Sequence, residues 1–306
     1  MGRFLVRQAI QLVLVLLLVS GLVFFLTHLT GDPTHQLLPP DATYEDIARL
    51  RERLGLDQPV IVQYLRWLQS VLTGDFGNSV LVGRRPAIEL IAERFPMTLL
   101  LAASGLTLAI VVAIPLGIVA ALRRGSAIDA GVNTFVLAGQ AMPSFWFGII
   151  LIIIISVQLR WLPPSGFRDW QSLILPTITL AISQMPPIMR LVRSGMVETL
   201  GQDYVRTARA KGLAAPTVIW RHVLRNAAIP VVTVIAIRAA DLLGGSVIVE
   251  VVFAWPGLGS LLASSISNAD FPVIQAGVLM IALVVVLTNL VGDVALALLD
   301  PRVRLG

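Results

Sequence analysis

Asp203-Tyr204-Val205-Arg206-Thr207-Ala208-Arg209-Ala210-Lys211-Gly212 sits inside a basic interval, Arg190 to Ala228, that parts two long apolar runs. Its seven cations (Arg190, Arg193, Arg206, Arg209, Lys211, Arg221, Arg225) face only two acids, Glu198 and Asp203. A polar interval between two membrane spans lies on one side of the bilayer, and an arginine and lysine excess places that side in the cytoplasm. Asp203 to Leu213 is built of good helix formers and stops near Gly212, and Pro216 suits the first turn of a second helix running towards Asn226. The interval therefore reads as a helical elbow, and its cations face either anionic lipid headgroups or a protein partner.

Outward from this elbow the chain is lipid-solvated. Of its 306 residues 56% are hydrophobic and 13% charged, against roughly 25% charged in soluble domains. Six apolar segments approach the ~20 residues that cross hydrocarbon: Gln8–Leu29, Met97–Leu122, Gly131–Leu159, Ser172–Val192, Ile229–Phe253 and Val273–Leu299. The first has a signal-peptide-like start in Arg3 and Arg7, but its apolar run exceeds a signal core and no small-x-small site follows, so it reads as a retained span. The expected fold is an all-α integral membrane bundle. Arg3, Arg7, Arg123, Arg124, Arg302 and Arg304 fall on the side of the basic interval. On the opposite side one short loop carries Arg160 and Arg168, and the other, Ala254–Pro272, has no cation. The long loop after the first span holds arginines but translocates largely regardless of charge, so both termini are expected in the cytoplasm. The net charge of +5 follows from this arginine bias and does not point to nucleic acid.

Composition also excludes chemistry. Without cysteine there is no disulfide, thiolate catalysis or Cys-ligated metal. His28, His35 and His222 show no metal spacing. Lys211, the only lysine, is followed by Gly212 and preceded by no glycine at P-loop spacing, so the chain has no phosphate-cradling loop. No catalytic residues, metal site or cofactor are expected in it, and any ATP that drives its work binds another subunit.

The chain divides into residues 1–30, a tail and first span; 31–96, an extracytoplasmic cap; and 97–306, a core of five spans with the cytoplasmic loop 193–228. In the cap, Thr43-x-x-Asp46 opens a short helix that stops at Gly55. Pro59 begins a second helix with Val60, Tyr64, Trp67, Leu68 and Val71 on one face, and Gly74-Asp75-Phe76-Gly77-Asn78 is a turn. Arg84 to Phe95 reads as an amphipathic surface segment with Arg85, Glu89 and Glu93 on its polar side.

Polar residues inside spans mark the candidate pathway. Arg238 and Asp241 in the fifth span each cost roughly 2.5–3.5 kcal/mol at a helix centre, so they are expected to pair at i, i+3 and face the bundle interior, either to line a route for a zwitterion or to orient helices. Gly244-Gly245 allows tight packing or local bending at a gate. Ser246 joins these candidates, Glu250 reads as pathway or interfacial, and Asn289 with Asp293 is a second interior pair at i, i+4. Gln184-Met185-Pro186-Pro187 interrupts the fourth span and gives a switch kink or a fixed bend.

The interval Asp203 to Gly212, followed by Arg221-His222-x-x-Arg225-Asn226-Ala227-x-x-Pro230, resembles the coupling loop of ABC-importer permeases, and within them the dipeptide/oligopeptide/nickel permease family. Where the general loop reads Glu-Ala-Ala, this chain has Arg206-Thr207-Ala208. Gly212 fits, and His222-x-Leu224-Arg225 stands in place of Ile-x-Leu-Pro, a departure shared with the peptide branch. Leu54-Gly55-Leu56-Asp57-Gln58-Pro59, Gly74-Asp75-Phe76-Gly77-x-Ser79, Arg85-Pro86, Leu243-Gly244-Gly245-Ser246-Val247-Ile248-Val249-Glu250 and Phe253-x-Trp255-Pro256-Gly257-Leu258-Gly259 are similar to that family in the same order. The resemblance implies a type I importer bundle and the first of two permease subunits, in a bacterial inner membrane. It implies partners: a second homologous permease, two ATP-binding subunits carrying ATP and Mg, an extracytoplasmic binding protein, a peptide cargo and membrane lipid. It implies that Asp203, Tyr204, Arg206, Thr207, Ala208, Arg209, Ala210, Lys211, Gly212, His222, Arg225 and Asn226 form the ATPase-coupling loop, with Ala208 and Gly212 allowing close backbone contact. The competing readings are a six-span channel or a secondary transporter uncoupled from ATP, which leave the elbow unexplained. An intramembrane enzyme lacks paired catalytic groups.

Overall fold

A computed structural model describes residues 2–30 and 43–299. His35, Arg302 and Arg304 lie outside the described residues. The chain divides into two compact units, Met1–Thr98 with Pro256–Val284, and Leu99–Trp255 with Val285–Gly306.

In the first unit, helix α1 (Gly2–Thr30) exposes Leu14, Leu18 and Leu22 and buries Val23 and Phe24. Its hydroxyls are satisfied locally, Ser20 Oγ donating to the Leu17 carbonyl and Thr27 Oγ1 to that of Phe24, as an apolar surround requires. Helix α2 (Tyr44–Leu54) opens on the expected capping box of Thr43 and Asp46 and ends at Gly55 with φ 67°. The Thr43 hydroxyl and amide bond the Asp46 carboxylate and hold its pKa below the ordinary value. Helix α3 (Val60–Leu72) follows Pro59 and docks on α1 through aromatic contacts of Phe24 with Tyr64 and Trp67. Ser20 bonds the Tyr64 hydroxyl at 2.8 Å, and His28 bonds Gln63. The turn after α3 is as read: Gly74 and Gly77 have φ of 87° and 81°, and Asp75 Oδ1 accepts from the Gly77 amide.

Helix α4 (Ala87–Leu122) corrects the expected surface segment. Arg85, Glu89 and Glu93 share one side, where Arg85 pairs with both acids, but from Ala87 the helix runs on unbroken into the second span. Its first turns are buried at Ala87, Leu90 and Ile91, and that packing keeps them off a separate surface path. Two later helices complete the unit, α11 (Leu258–Ser267) and the first part of α12 (Phe271–Leu299). Gly257, the N-cap of α11, has no side chain to cap the helix, and Thr98 Oγ1 accepts from the Leu258 amide instead. Asp270, 1% exposed, accepts from Ser79 Oγ and from the amides of Val80 and Leu81. Gln275 donates to Thr27 across α12 and α1.

In the second unit the rest of α4 packs with α5 (Ala127–Ala141), α6 (Ser144–Leu151), α7 (Ile174–Leu200), α8 (Asp203–Ala210), the single turn α9 (Ala215–Thr217) and α10 (Leu224–Val252). Ala109, Ala113, Met185, Ile188, Met189, Val192 and Met196 form its core with Val205, Val218 and Val223. Helix α4 approaches α7 so closely that a Cβ on Gly117 would stand 2.8 Å from Val192 and 2.9 Å from the Met189 carbonyl. Phe167 stacks edge-on against the fully buried Trp255.

Three expectations change here. The third span is no single helix: Ala127–Ala141 and Ser144–Gln158 meet at 100°. Met142, held extended at φ −86° and ψ 130° because Pro143 follows it, cannot continue the helix, and the second arm ends in a π-helical turn, Ile152–Gln158. The fourth span is not interrupted, since α7 runs through Pro186 and Pro187 and on past Val192, so Arg190 and Arg193 stand on α7 rather than in a loop. The helix after Pro216 does not end at Asn226; it passes through a π turn, Val218–Val223, into α10, with a bend of 53° at Pro230. Among the described residues, four helices are long and apolar enough to cross a membrane, and the two bent pairs bring the number to as many as six.

Candidate coupling and pathway residues

Helix α8 is short, and its eight residues owe their order to packing. Asp203 in its first turn and Arg209 in its last complement the helix dipole. Val205 and Ala208 are buried in the same core as Val218 and Val223. The end is closed by Gly212, in the left-handed region at φ 78°, whose amide bonds the Arg209 carbonyl. Asn226 Nδ2 bonds both the Tyr204 hydroxyl and the His222 carbonyl, which ties α8 to α10.

This arrangement corrects one detail. Ala208 faces the chain's own core and is not free for a partner's close approach, because Val205 and Ala208, three residues apart, form the single apolar stripe of α8. Thr207, Arg206, Arg209, Ala210, Lys211, Gly212, Arg225 and Asn226 are exposed, and His222 is half-buried. Arg206 reaches Asp203 at 3.4 Å, with 77% and 95% of those side chains exposed, a geometry that contributes little stability. The elbow thus presents exposed cations on a helix held by the burial of Val205 and Ala208 and by the Tyr204–Asn226 bond.

Arg238 and Asp241 pair as expected, at 3.0 Å. They are not enclosed within the chain: 37% and 51% of their side chains are exposed, and Arg238 lines an open depression of about 540 Å³ with Asn133, Arg190, Arg193 and Ser194. Gly244 and Gly245 are not at a tight contact either. A Cβ on either would meet nothing within 4 Å, and α10 runs through them unbroken, since this chain leaves that face of the helix uncovered. Glu250 is fully buried within the chain and accepts from Ser246 Oγ at 3.3 Å, and the turn after α10 folds back and bonds the Trp255 amide to the Glu250 carbonyl. Asn289 is exposed, and the Asp293 side chain lies outside the described residues. Among the described residues, no three His, Asp or Glu side chains gather as a metal site.

Two polar contacts escaped the sequence reading. Asp129 takes both prongs of the Arg193 guanidinium at 2.7 Å, together with the Gly125 amide and Asn133 Nδ2. The signal was present in Ser126-x-x-Asp129, an N-cap spacing in which Ser126 Oγ accepts from the Asp129 amide. Arg190 bonds Gln140, for which the sequence offers no local signal, since fifty residues part the two.

Residues 113–305 match the family described as binding-protein-dependent transport system inner membrane component, and residues 1–102 match its N-terminal companion. The chain is 44% identical over 305 residues to the glutathione transport system permease protein GsiC of Salmonella paratyphi A, covering 99% of both chains. It is 40% identical over 315 residues to the oligopeptide transport system permease protein AppB of Bacillus subtilis, covering 99% of this chain and 100% of that relative. Among solved structures, an inward-facing MetNI methionine ABC transporter chain superposes with a TM-score of 0.59 at 18% identity, over 69% of this chain and 96% of that one. At that identity the likeness speaks for the fold alone. An all-helical bundle with an elbow braced between α7 and α10, matched along nearly its whole length, belongs to the family of binding-protein-dependent transport system inner membrane components.

Proposed function

We propose that this chain is the first permease subunit of an ATP-driven importer of peptides, of di- or oligopeptide or glutathione class. The observation that carries the reading is the end-to-end match to permeases named for glutathione and for oligopeptides. In this reading a second permease covers the open Gly244-Gly245 face of α10, and cargo passes along the polar lining that includes Arg238 and Asp241. Ser246, Glu250, Asn289 and Asp293 are further pathway candidates. ATP and Mg belong to two partner subunits, and a binding protein delivers cargo from outside to a chain whose termini are both cytoplasmic.

The elbow supports a mechanical role. Because Val205 and Ala208 are keyed into the core and Tyr204 is bonded to Asn226, a displacement applied to the exposed Arg206, Arg209 and Lys211 passes to α7 and α10 rather than being absorbed by the loop. The cations favour an acidic rim on the ATPase.

A mild-detergent pull-down of the tagged chain is expected to bring down ATP-binding subunits and a second permease. In reconstituted vesicles, R206E/R209E is expected to abolish uptake while insertion and complex recovery stay normal. Normal uptake by that double variant would remove the coupling assignment. A chain that purifies alone and conducts ions would replace the importer by a channel.

A further inference from the structure

The open depression in the second unit gathers three guanidinium groups, from Arg190 and Arg193 on α7 and Arg238 on α10. Two are neutralised, Arg193 by Asp129 at 2.7 Å and Arg238 by Asp241 at 3.0 Å. The third is not. Among the described residues Arg190 has the amide oxygen of Gln140 as its partner and no carboxylate at ion-pair distance. It stands ten residues before the end of α7 at Leu200, and its side chain is exposed. The surplus charge is therefore one positive, exposed and aimed at a cavity of about 540 Å³.

We infer that Arg190 binds a carboxylate carried by the cargo during its passage. The inference rests on the peptide-import reading and adds to it the atom that recognises one end of the peptide. A guanidinium offers a planar pair of N–H donors that matches a carboxylate, and Gln140, a neutral acceptor, holds the side chain in place without satisfying its charge. Arg193 and Arg238, already bonded to acids, raise the local potential but leave the binding to Arg190. Pairing is transient by design of the site: the cavity is open, so water competes and the anion is released. The rival source of the same chemistry is the phosphate of an anionic lipid.

The test uses the assembled wild-type transporter in nanodiscs. Phenylglyoxal, which modifies free guanidinium groups, is applied and the extent of modification at Arg190 is read by peptide mass mapping. A peptide with a free C-terminal carboxylate is expected to slow that modification several-fold, in phosphatidylcholine discs, while the same peptide as its C-terminal amide leaves it unchanged. Equal protection by both peptides, or by neither, would overturn the proposal. So would protection seen without peptide in phosphatidylglycerol discs and absent in phosphatidylcholine discs, which would assign the site to lipid. ATP-driven uptake is measured with the same preparation. Loss of uptake with carboxylate protection intact would remove the transport reading and leave the anion site standing.

Discussion

Asp129 and Arg193 are the pair on which the polar interior of the second unit depends. The carboxylate, 5% exposed, accepts from Arg193, Gly125 and Asn133 together, so its removal leaves a half-buried guanidinium and the Gly125 amide without this acceptor, while Asn133 keeps the Asp129 carbonyl. Asp129→Ala is expected to lower the thermal unfolding midpoint of the assembled complex, and Asp129→Ala with Arg193→Ala to recover part of the loss, because the double change removes both charges. An unchanged midpoint in the single variant would show that the pair contributes nothing. The contact joins residues 64 positions apart; the capping half of Asp129's role was legible in Ser126-x-x-Asp129, and the ion-pair half was not, since no local pattern reports which helix will lie alongside.

Three proline sites behaved differently, and the difference separates what a sequence reveals from what packing decides. Pro143 breaks its span because the residue before it is driven out of helical geometry and nothing restores it. Pro186 and Pro187 should have weakened α7 equally, yet the helix persists: Met185, Pro186, Ile188, Met189 and Val192 are buried on neighbouring elements, and tertiary burial outweighs the lost backbone donors. The elbow, by contrast, was legible nearly residue by residue, since Gly212 and Pro216 carry their own backbone preferences; the inward turn of Ala208 was not, because an alanine suits a core and a contact alike. The α4–α7 contact gives a direct test of how tightly these elements are set. Gly117→Leu has no room beside Val192 and the Met189 carbonyl and is expected to destabilise by about 1–3 kcal/mol, read as a lower thermal midpoint; a midpoint equal to wild type would mean that the helices separate without cost.

At the scale of the molecule, the absence of cysteine makes sidedness directly measurable. A cysteine at Arg206 is expected to react with a membrane-impermeant maleimide only from the cytoplasmic side of sealed cells or inverted vesicles, and one at Glu52 only from the other, without background from native thiols. The reverse pattern would invert the topology argued from the arginine distribution. The Asp270 anchor bears on how such a molecule comes into being. Ser79 lies 191 residues ahead of its acceptor, and at a synthesis rate of roughly 5–20 residues per second the wait is about 10–40 s. Through that interval the segment around Ser79 has emerged while its anchor does not yet exist. A ribosome-stalled chain ending before Asp270 is expected to be cut by protease near Val80 and Leu81, and one extended through α12 to resist. Closure of the loop at Ser79 is thereby timed by the synthesis of Asp270, not by the emergence of the loop itself.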